Sequence, residues 1–537
     1  MFIFLIRAFM MKERIWKFVF VFGLLIYLGQ IQSFSQTKLK VTQADSLYYD
    51  ESLFGSEVQI LLGNVIVDHM QTRMYCDTAY RFTVGDSIKA VSNIHIIHND
   101  SIHIYGKTLD YNSRTGIAKL RNKVRMVNGN VVLTTDYLDF DRVNNVGYYF
   151  NTGKIVSQDN ILTSDFGYYY PTLNKAVFQN DVEVDNPEYD MFSDTLRYNT
   201  FSEIVSILGP TFIVSPDNII YSEDGYYNTK LDEALLKRNS YIQGEQILKG
   251  DTIFYNRNNG IGEVFSSMEL HDTTNHTIIT GDYGIYNEIT GRALVTDSSL
   301  LMQIHAGDTL FMHADTLRSE PIDTTDFRLI LAYNKVQFFR VDMQGRCDSM
   351  VFNSQDSTNT FYNEPIIWSK GNQMTADEIV MYLENGVFKR VELNTRAFIV
   401  SQVDTASYNQ IKGRHMIGYI SNNELSKIDV DGDGETIYYM VENGEVTGVD
   451  KATCSKLSVY LRQRAIYRIS RLDIIEGKMN SHLLIPKEET LLKGFYWLEE
   501  FRPKKMEDIF FFEELIERDR GQTRSDFGLD DDEFTID

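Results

Sequence analysis

The stretch "GIAKLRNKVRMVNGNVVLTTDYLDFDRVNN" (Gly116–Asn145) contains the building rule of the whole chain. Val124 and Met126 alternate with polar residues, and so do Leu138 and Phe140. Alternation with period 2 marks a strand with one buried face. Between the two runs, "VNGN" (Val127–Asn130) supplies the Asn and Gly that tight turns need for left-handed backbone and local hydrogen bonds. The stretch reads as two antiparallel strands joined by a turn.

The second half of the stretch is one copy of a pattern that recurs along the chain. An acidic residue is followed two places on by an apolar one, then by an aromatic residue or Met, and often by Asn. "SDTLRYN" (Ser193–Asn199), "GDTIFYN" (Gly250–Asn256) and "CDSMVFN" (Cys347–Asn353) are further copies. The acidic position falls at Asp45, Asp77, Asp136, Asp165, Asp194, Glu223, Asp251, Asp282, Asp315, Asp348 and Asp377, with Lys107 filling it once. Successive copies lie 28 to 33 residues apart and most often 29, which is the signature of a repeat architecture. A second motif alternates with the first: "GNVIV" (Gly63–Val67), "NDVEV" (Asn180–Val184) and "NKVQFF" (Asn334–Phe339). Turn segments close both ends of each unit, as in "NSRTG" (Asn112–Gly116) and "SPDN" (Ser215–Asn218). The predicted fold is all-β: an elongated stack of antiparallel strands whose apolar ladders share one face. The acidic residue is expected at the strand entrance, accepting backbone N–H bonds where the chain bends.

Composition supports this class and excludes others. The chain has 537 residues, is 43% hydrophobic and 13% aromatic, and has only 8 Pro, a strand-forming bias with enough apolar content for a core. A net charge of −23 leaves no basic stripe for nucleic acid. Lys12, Arg14 and Lys17, then the apolar run Phe18–Ile31 and the small residues Ser33–Ser35, predict an export signal over residues 1–35; an uncleaved anchor is the alternative. Cys76, Cys347 and Cys454 lie too far apart along a repeat array to form a disulfide framework. "DVDGDGETIYYM" (Asp429–Met440) imitates a calcium loop, but Met440 stands where a bidentate Glu belongs, so it reads as a turn. His95, His98 and His103 lack the spacing of a metal site, and no GxSxG, P-loop or HExxH motif occurs. No cofactor, metal or catalytic residue is assigned, although paired carboxylates need only spatial proximity and stay open.

The export signal, the stacked half-repeats and the lack of an enzyme motif resemble the OstA/LptA-like family of periplasmic lipopolysaccharide-transport proteins, which also supplies the N-terminal domain of LptD. "LLGNVIVDHMQTRMYCDTAYRF" (Leu61–Phe82) carries the resemblance best, and it extends over roughly Lys38–Val449. The chain has more repeats than a typical LptA and looks like the longer OstA-like proteins of the Bacteroidetes type. The resemblance implies a β-taco, or open β-jellyroll: two antiparallel sheets facing each other in a V that holds acyl chains. It implies a periplasmic, non-enzymatic protein, associated with the outer membrane, whose partners are lipopolysaccharide and other jellyroll subunits, or further copies, joined through sheet edges. With the strand parity above, it places Val124, Met126, Leu138, Phe140, Val182, Val184, Leu196, Tyr198, Ile253 and Tyr255 in the lipid groove.

The predicted organisation is a signal over 1–35, jellyroll repeats over 36–449, capping strands over 450–490, and a tail over 491–537. The tail has an aromatic segment, a short amphipathic helix within Met506–Arg520 and an acidic end, Asp530–Asp537. Val41 and Leu47 are predicted to form the freer, N-terminal pairing edge, with Lys451–Leu472 and the Trp497 region covering the other. Two alternative functions fit the same repeats: an exported structural or adhesive solenoid with a dry core, and a carbohydrate-active β-helix enzyme.

Overall fold

Hairpin follows hairpin from the start of the described chain. The computed structural model describes residues 38–50, 57–305, 308–323, 327–384, 387–421, 424–442, 444–463, 465–481 and 485–513. The expected signal (1–35), the acidic end and the second half of the expected C-terminal helix lie outside the described residues. The fold is all-β, and among the described residues helix is confined to short 3-10 turns such as Pro171–Leu173. Contacts divide the chain into two units, Met1–Asn180 and Asp181–Asp537.

In the first unit, Val58–His69, Thr72–Phe82, Ser87–His98, Ile102–Asn112, Ile117–Asn128 and Val131–Asp141 pair antiparallel in chain order. Each pairing slips near its midpoint, between Leu62 and Val65, Tyr75 and Thr78, Val91 and Ile94, Tyr105 and Thr108, and Arg121 and Val124. At the slip every second strand carries two consecutive residues of positive φ: Gly63–Asn64, Ser92–Asn93 and Asn122–Lys123. Such a bulge bends the strand, so each long strand serves two walls. Segments 58–62, 78–82, 87–91, 108–112, 117–121 and 137–141 form the first wall. Segments 65–69, 72–76, 94–98, 102–106, 124–128 and 131–135 form the second.

The repeated acidic residue sits at this bend rather than at a strand entrance. Asp77 lies mid-strand and accepts from Ser92 Oγ at 2.6 Å and Asn93 Nδ2 at 2.7 Å. Asp45 accepts from Asn64 Nδ2 at 2.9 Å, and Asp136 from the Lys123 backbone N–H at 2.8 Å. In the second unit Glu223 meets Asn239, Asp251 meets Ser266 and Ser267, and Asp377 meets Arg396. The carboxylate therefore caps the two-residue bulge of the neighbouring strand, mostly through side chains and only in places through backbone N–H. At Gly63 the positive φ and the carboxylate together exclude a side chain: a Cβ there would lie 2.3 Å from Asp45 Oδ2.

The second unit follows the same rule through Tyr189–Asn199, Glu233–Gln243, Ile247–Asn256, Ile261–Asp272 and Thr277–Asn287. Its last five strands lengthen to Val387–Gln402, Tyr408–Ser421, Glu424–Glu442, Glu445–Arg462 and Ala465–Ser481. The hairpin pattern thus runs past Val449 without a change of architecture. Asp429 and Asp431 lie along a strand, not in a calcium loop, and ion-pair with Lys427 and Lys456; Asp433 sits in that strand's bulge beside Arg414.

The C-terminal tail departs from expectation. Among the described residues Ala465–Ser481 pairs only with Glu445–Arg462, so no described part of the tail adds a strand to that edge. Residues 485–513 instead run back over the outer face of the second wall. They go from Phe398, Val400, Ile437, Tyr439 and Val449, which enclose Leu492, to Ile366 and Trp368, which enclose Leu498, and on to His313, which meets Phe510. The described part is irregular, with 3-10 turns at Lys487–Thr490, Glu499–Phe501 and Met506–Phe510.

Candidate functional site

Within each unit the inward positions of the bent strands are mostly apolar. Val124 and Met126 lie on the second wall, Leu138 and Phe140 on the first, and all four are buried. Val182, Val184, Leu196, Tyr198, Ile253 and Tyr255 occupy the equivalent buried positions in the second unit. Asp139, one residue away from both Leu138 and Phe140, faces outward and pairs with Arg121 at 2.7 Å. Fully burying side chains of this size is worth about 1.5–3 kcal/mol each.

The two walls touch across the interior. In the first unit Phe140 meets His98 edge-to-face at 5.5 Å, and a Cβ on Gly147 would lie 3.5 Å from Met126 Sδ. The ring of Tyr149 fills the space between Gly153 and Gly167, where a Cβ on either glycine would fall within 2.4 Å of it. Burial pushes the Tyr149 phenol up to about 12, although Ser164 Oγ lies 2.6 Å from it.

Polar pairs tie the walls where the strands end. Tyr111 Oη lies 2.6 Å from His69 Nδ1 on the opposite wall and accepts from Arg142 Nε at 3.3 Å. Asn128 Nδ2 donates to Tyr169 Oη at 3.1 Å. In the second unit Asn218 Nδ2 donates to Tyr255 Oη at 2.8 Å and to Glu288, and Tyr255 itself donates to Glu288. Burial and the neighbouring Glu288 carboxylate raise the Tyr255 phenol, so it stays a proton donor. Sequence reasoning found Tyr255 from its parity. It missed His69, Arg142, Asn218 and Glu288, which lie at strand ends and in turns where no periodicity marks them.

Cavities stand between the walls of the second unit. One, of about 210 Å³, has Leu270 and Ile279 facing Ile330 and Phe352, with Gln246 and Arg328 at its rim. Another, of about 60 Å³, has Met343 and Met374 on one side and Met381, Phe388, Val391 and Leu425 on the other, with Arg340, Asp342, Lys370 and Glu424 also in its lining.

The residues assigned to edge pairing lie in the first two strands. Lys40–Gln43 and Ser46–Tyr49 pair only with the two halves of Val58–His69 among the described residues, with Val41 opposite Val67 and Leu47 opposite Leu61. Leu47 is 50% exposed. His95 stacks with Tyr75, Tyr105 and His103, and ring nitrogens of the two histidines lie 3.1 Å apart. No group of three or more metal-ligating side chains occurs among the described residues.

Residues 36–194 match the family described as OstA-like protein. The chain carries an OstA-like domain. That domain spans the acidic positions from Asp45 to Asp194 and six of the inward residues above, and the same bend and parity continue beyond it to Ile253 and Tyr255. A solved structure is also similar: LptH, the LptA homologous periplasmic component of the conserved lipopolysaccharide transport device from Pseudomonas aeruginosa. Its identity is 17%, over 19% of this chain and 79% of that one, with a TM-score of 0.19, a likeness that carries no argument about this chain. No curated protein matches.

Proposed function

We propose that this chain is a periplasmic, non-enzymatic lipid carrier that takes lipopolysaccharide acyl chains between its walls and passes them toward the outer membrane. In this reading Val124, Met126, Leu138, Phe140, Val182, Val184, Leu196, Tyr198, Ile253 and Tyr255 contact the acyl chains, and the edges at Val41 and Leu47 join other jellyroll subunits or a second copy. The observation that carries it is the mostly apolar inner face of each unit, with the same strand parity inside the OstA-like match and beyond it. Acyl chains need a long apolar surface rather than a few polar contacts, and the two facing walls of the bent sheet, with their inward Val, Leu, Ile and aromatic residues, supply one.

A photo-crosslinker at Phe140 is expected to capture lipid in cells while one at Asp139 captures none. Capture at Asp139 alone would overturn the inward assignment. The closeness of the walls supports a second reading, an exported structural solenoid with a permanently dry core. Mass spectrometry of gently extracted protein separates the two, since a solenoid would carry no lipid.

A further inference from the structure

Much of the second wall in the C-terminal half is covered on both faces. Its inward side chains meet the first wall, and its outward ones meet the tail. Three buried glutamines on that outward face, Gln410, Gln373 and Gln337, hold the tail by its backbone, and a fourth, Gln344, holds the Arg502 side chain. Gln410, 0% exposed, donates to Thr490 O at 2.9 Å and accepts from Leu492 N at 2.8 Å. Gln373 repeats the grip, donating to Tyr496 O at 2.9 Å and accepting from Leu498 N at 2.8 Å. Gln337 donates to Phe511 O at 2.8 Å, and Gln344 accepts from Arg502 Nε at 2.8 Å. Arg346 donates to Glu513 O and lies 4.0 Å from the centre of the Phe512 ring. A buried amide that satisfies both its donor and its acceptor on one segment is a built recognition site, because leaving either end unpaired in a dry interface is costly.

Beneath this grip lies a short hairpin of the wall. Ile366–Ser369 and Asn372–Thr375 form a hairpin of two four-residue strands, joined at each side to only four residues of its neighbours. Short strands with few ladder bonds are the segments that open locally. Here Ile366 and Trp368 on the outward face are covered by Leu498, Tyr496 and Phe501 of the tail. On the inward face of the same hairpin, Met374 lines the cavity shared with Met343, Met381, Phe388, Val391 and Leu425. One thin hairpin therefore separates the tail from the cavity.

We propose that residues 485–513 are a detachable strap that clamps this hairpin and so sets how far the walls part over that cavity, which is where an acyl chain is admitted. The site of admission rests on the lipid reading above; the clamp does not. With the strap in place the hairpin is held from both sides. With it released, Trp368 and Ile366 lose their cover, the hairpin keeps only its short ladders, and the Met-lined cavity opens.

The test uses the full chain with Gln373→Ala, which removes one bidentate grip, and separately Leu498→Ala, which removes an apolar anchor. Hydrogen exchange at residues 366–375 is expected to quicken by roughly tenfold or more in each variant, with the strand Ile247–Asn256 unchanged. A fluorescent palmitate analogue is expected to bind the variants several-fold faster. Faster exchange in the tail with none at the hairpin overturns the clamp, and so does failure of both variants to fold, which would make the tail an integral part of the core. Faster hairpin exchange with no palmitate analogue bound by any form supports the clamp and overturns the lipid reading.

Discussion

Truncating Leu138 to Ala in the full chain tests whether the interior is packed or merely facing. Leu138 is 0% exposed, lies opposite Leu120 on the next strand, and has a methyl 3.3 Å from where a Cβ on Gly147 would stand. Across the interior, Met126 presses on the same glycine. The backbone at Gly147 offers no side chain that can swing into the space left behind, so the cavity stays largely uncollapsed. A buried Leu→Ala change of this kind costs about 2–5 kcal/mol. At about 1.4 kcal/mol per factor of ten this is roughly 30- to 4000-fold in the opening equilibrium. The assay is native-state hydrogen exchange read at the amides of residues 117–141, because a repeat array need not unfold in one step and a single melting point would blur the local effect. A cost below about 0.5 kcal/mol, the size of an ordinary surface substitution, would refute the packed interior and mean that water already reaches Leu138 between parted walls.

Three further outcomes follow from the same geometry. Asp77→Ala removes the acceptor of Ser92 and Asn93 at an exposed bend, and should lower local stability by about 0.5–1.5 kcal/mol by hydrogen exchange, with Asp77→Asn losing less. His98 is buried neutral: Asn99 Nδ2 lies 3.0 Å from Nε2, Thr72 Oγ1 lies 2.7 Å from Nδ1, and burial together with Arg142 holds its pKa below the ordinary value. Its stabilising contribution is therefore complete above about pH 6.5 and is lost as the pH falls through the folded-state pKa, so acid should loosen the first unit in wild type and less in His98→Gln, by exchange measured from pH 7 to 5. Pro at Val41 or Leu47 removes a strand-edge N–H and should abolish capture of a jellyroll partner while exchange beyond residue 87 stays as in wild type; unchanged capture would place the contact at Ala465–Ser481, whose edge is also unpaired among the described residues.

Much of the fold was legible because period-2 alternation and the 29-residue recurrence both register burial directly. Leu138 and Phe140 alternate with Tyr137 and Asp139, and the structure buries the first pair and leaves the second pair outward. The bend was not legible as such, although its letters were in view. "GN" at Gly63–Asn64, "NK" at Asn122–Lys123 and "ND" at Asn180–Asp181 introduce the second motif, and they read as the start of a strand. They are instead its midpoint, two positive-φ residues that let one strand change walls. The same misreading moved the acidic residue to a strand entrance. The strap was illegible for a different reason. Gln337, Gln344, Gln373 and Gln410 occupy outward strand positions where any polar residue is normal, and only the tail's return over that face makes them buried. Long-range recognition by single glutamines leaves no periodic trace. Likewise the cross-wall pairs, His69 with Tyr111 and Asn218 with Tyr255, join residues 42 and 37 positions apart whose pairing depends on the closure of the V.

Those cross-wall pairs also fix where the difficulty of admitting a lipid lies. An acyl chain that slides between the walls replaces apolar side-chain contacts with apolar chain contacts, so deep in the interior the exchange is close to balanced. The ends of the strands are different. Parting Tyr111 from His69, or Asn218 from Tyr255 and Glu288, breaks hydrogen bonds that an acyl chain cannot replace, each worth about 0.5–1.5 kcal/mol net and more where a carboxylate is involved. A lipid carrier built on this plan resists opening chiefly along its polar ties and opens most readily where the ties are sparse and a cavity already stands between the walls. At the cavity of Met343, Met374, Met381 and Phe388 the tie is of another kind, Arg340 lying 4.9 Å from the centre of the Phe388 ring, and this is the cavity whose wall the tail holds from behind.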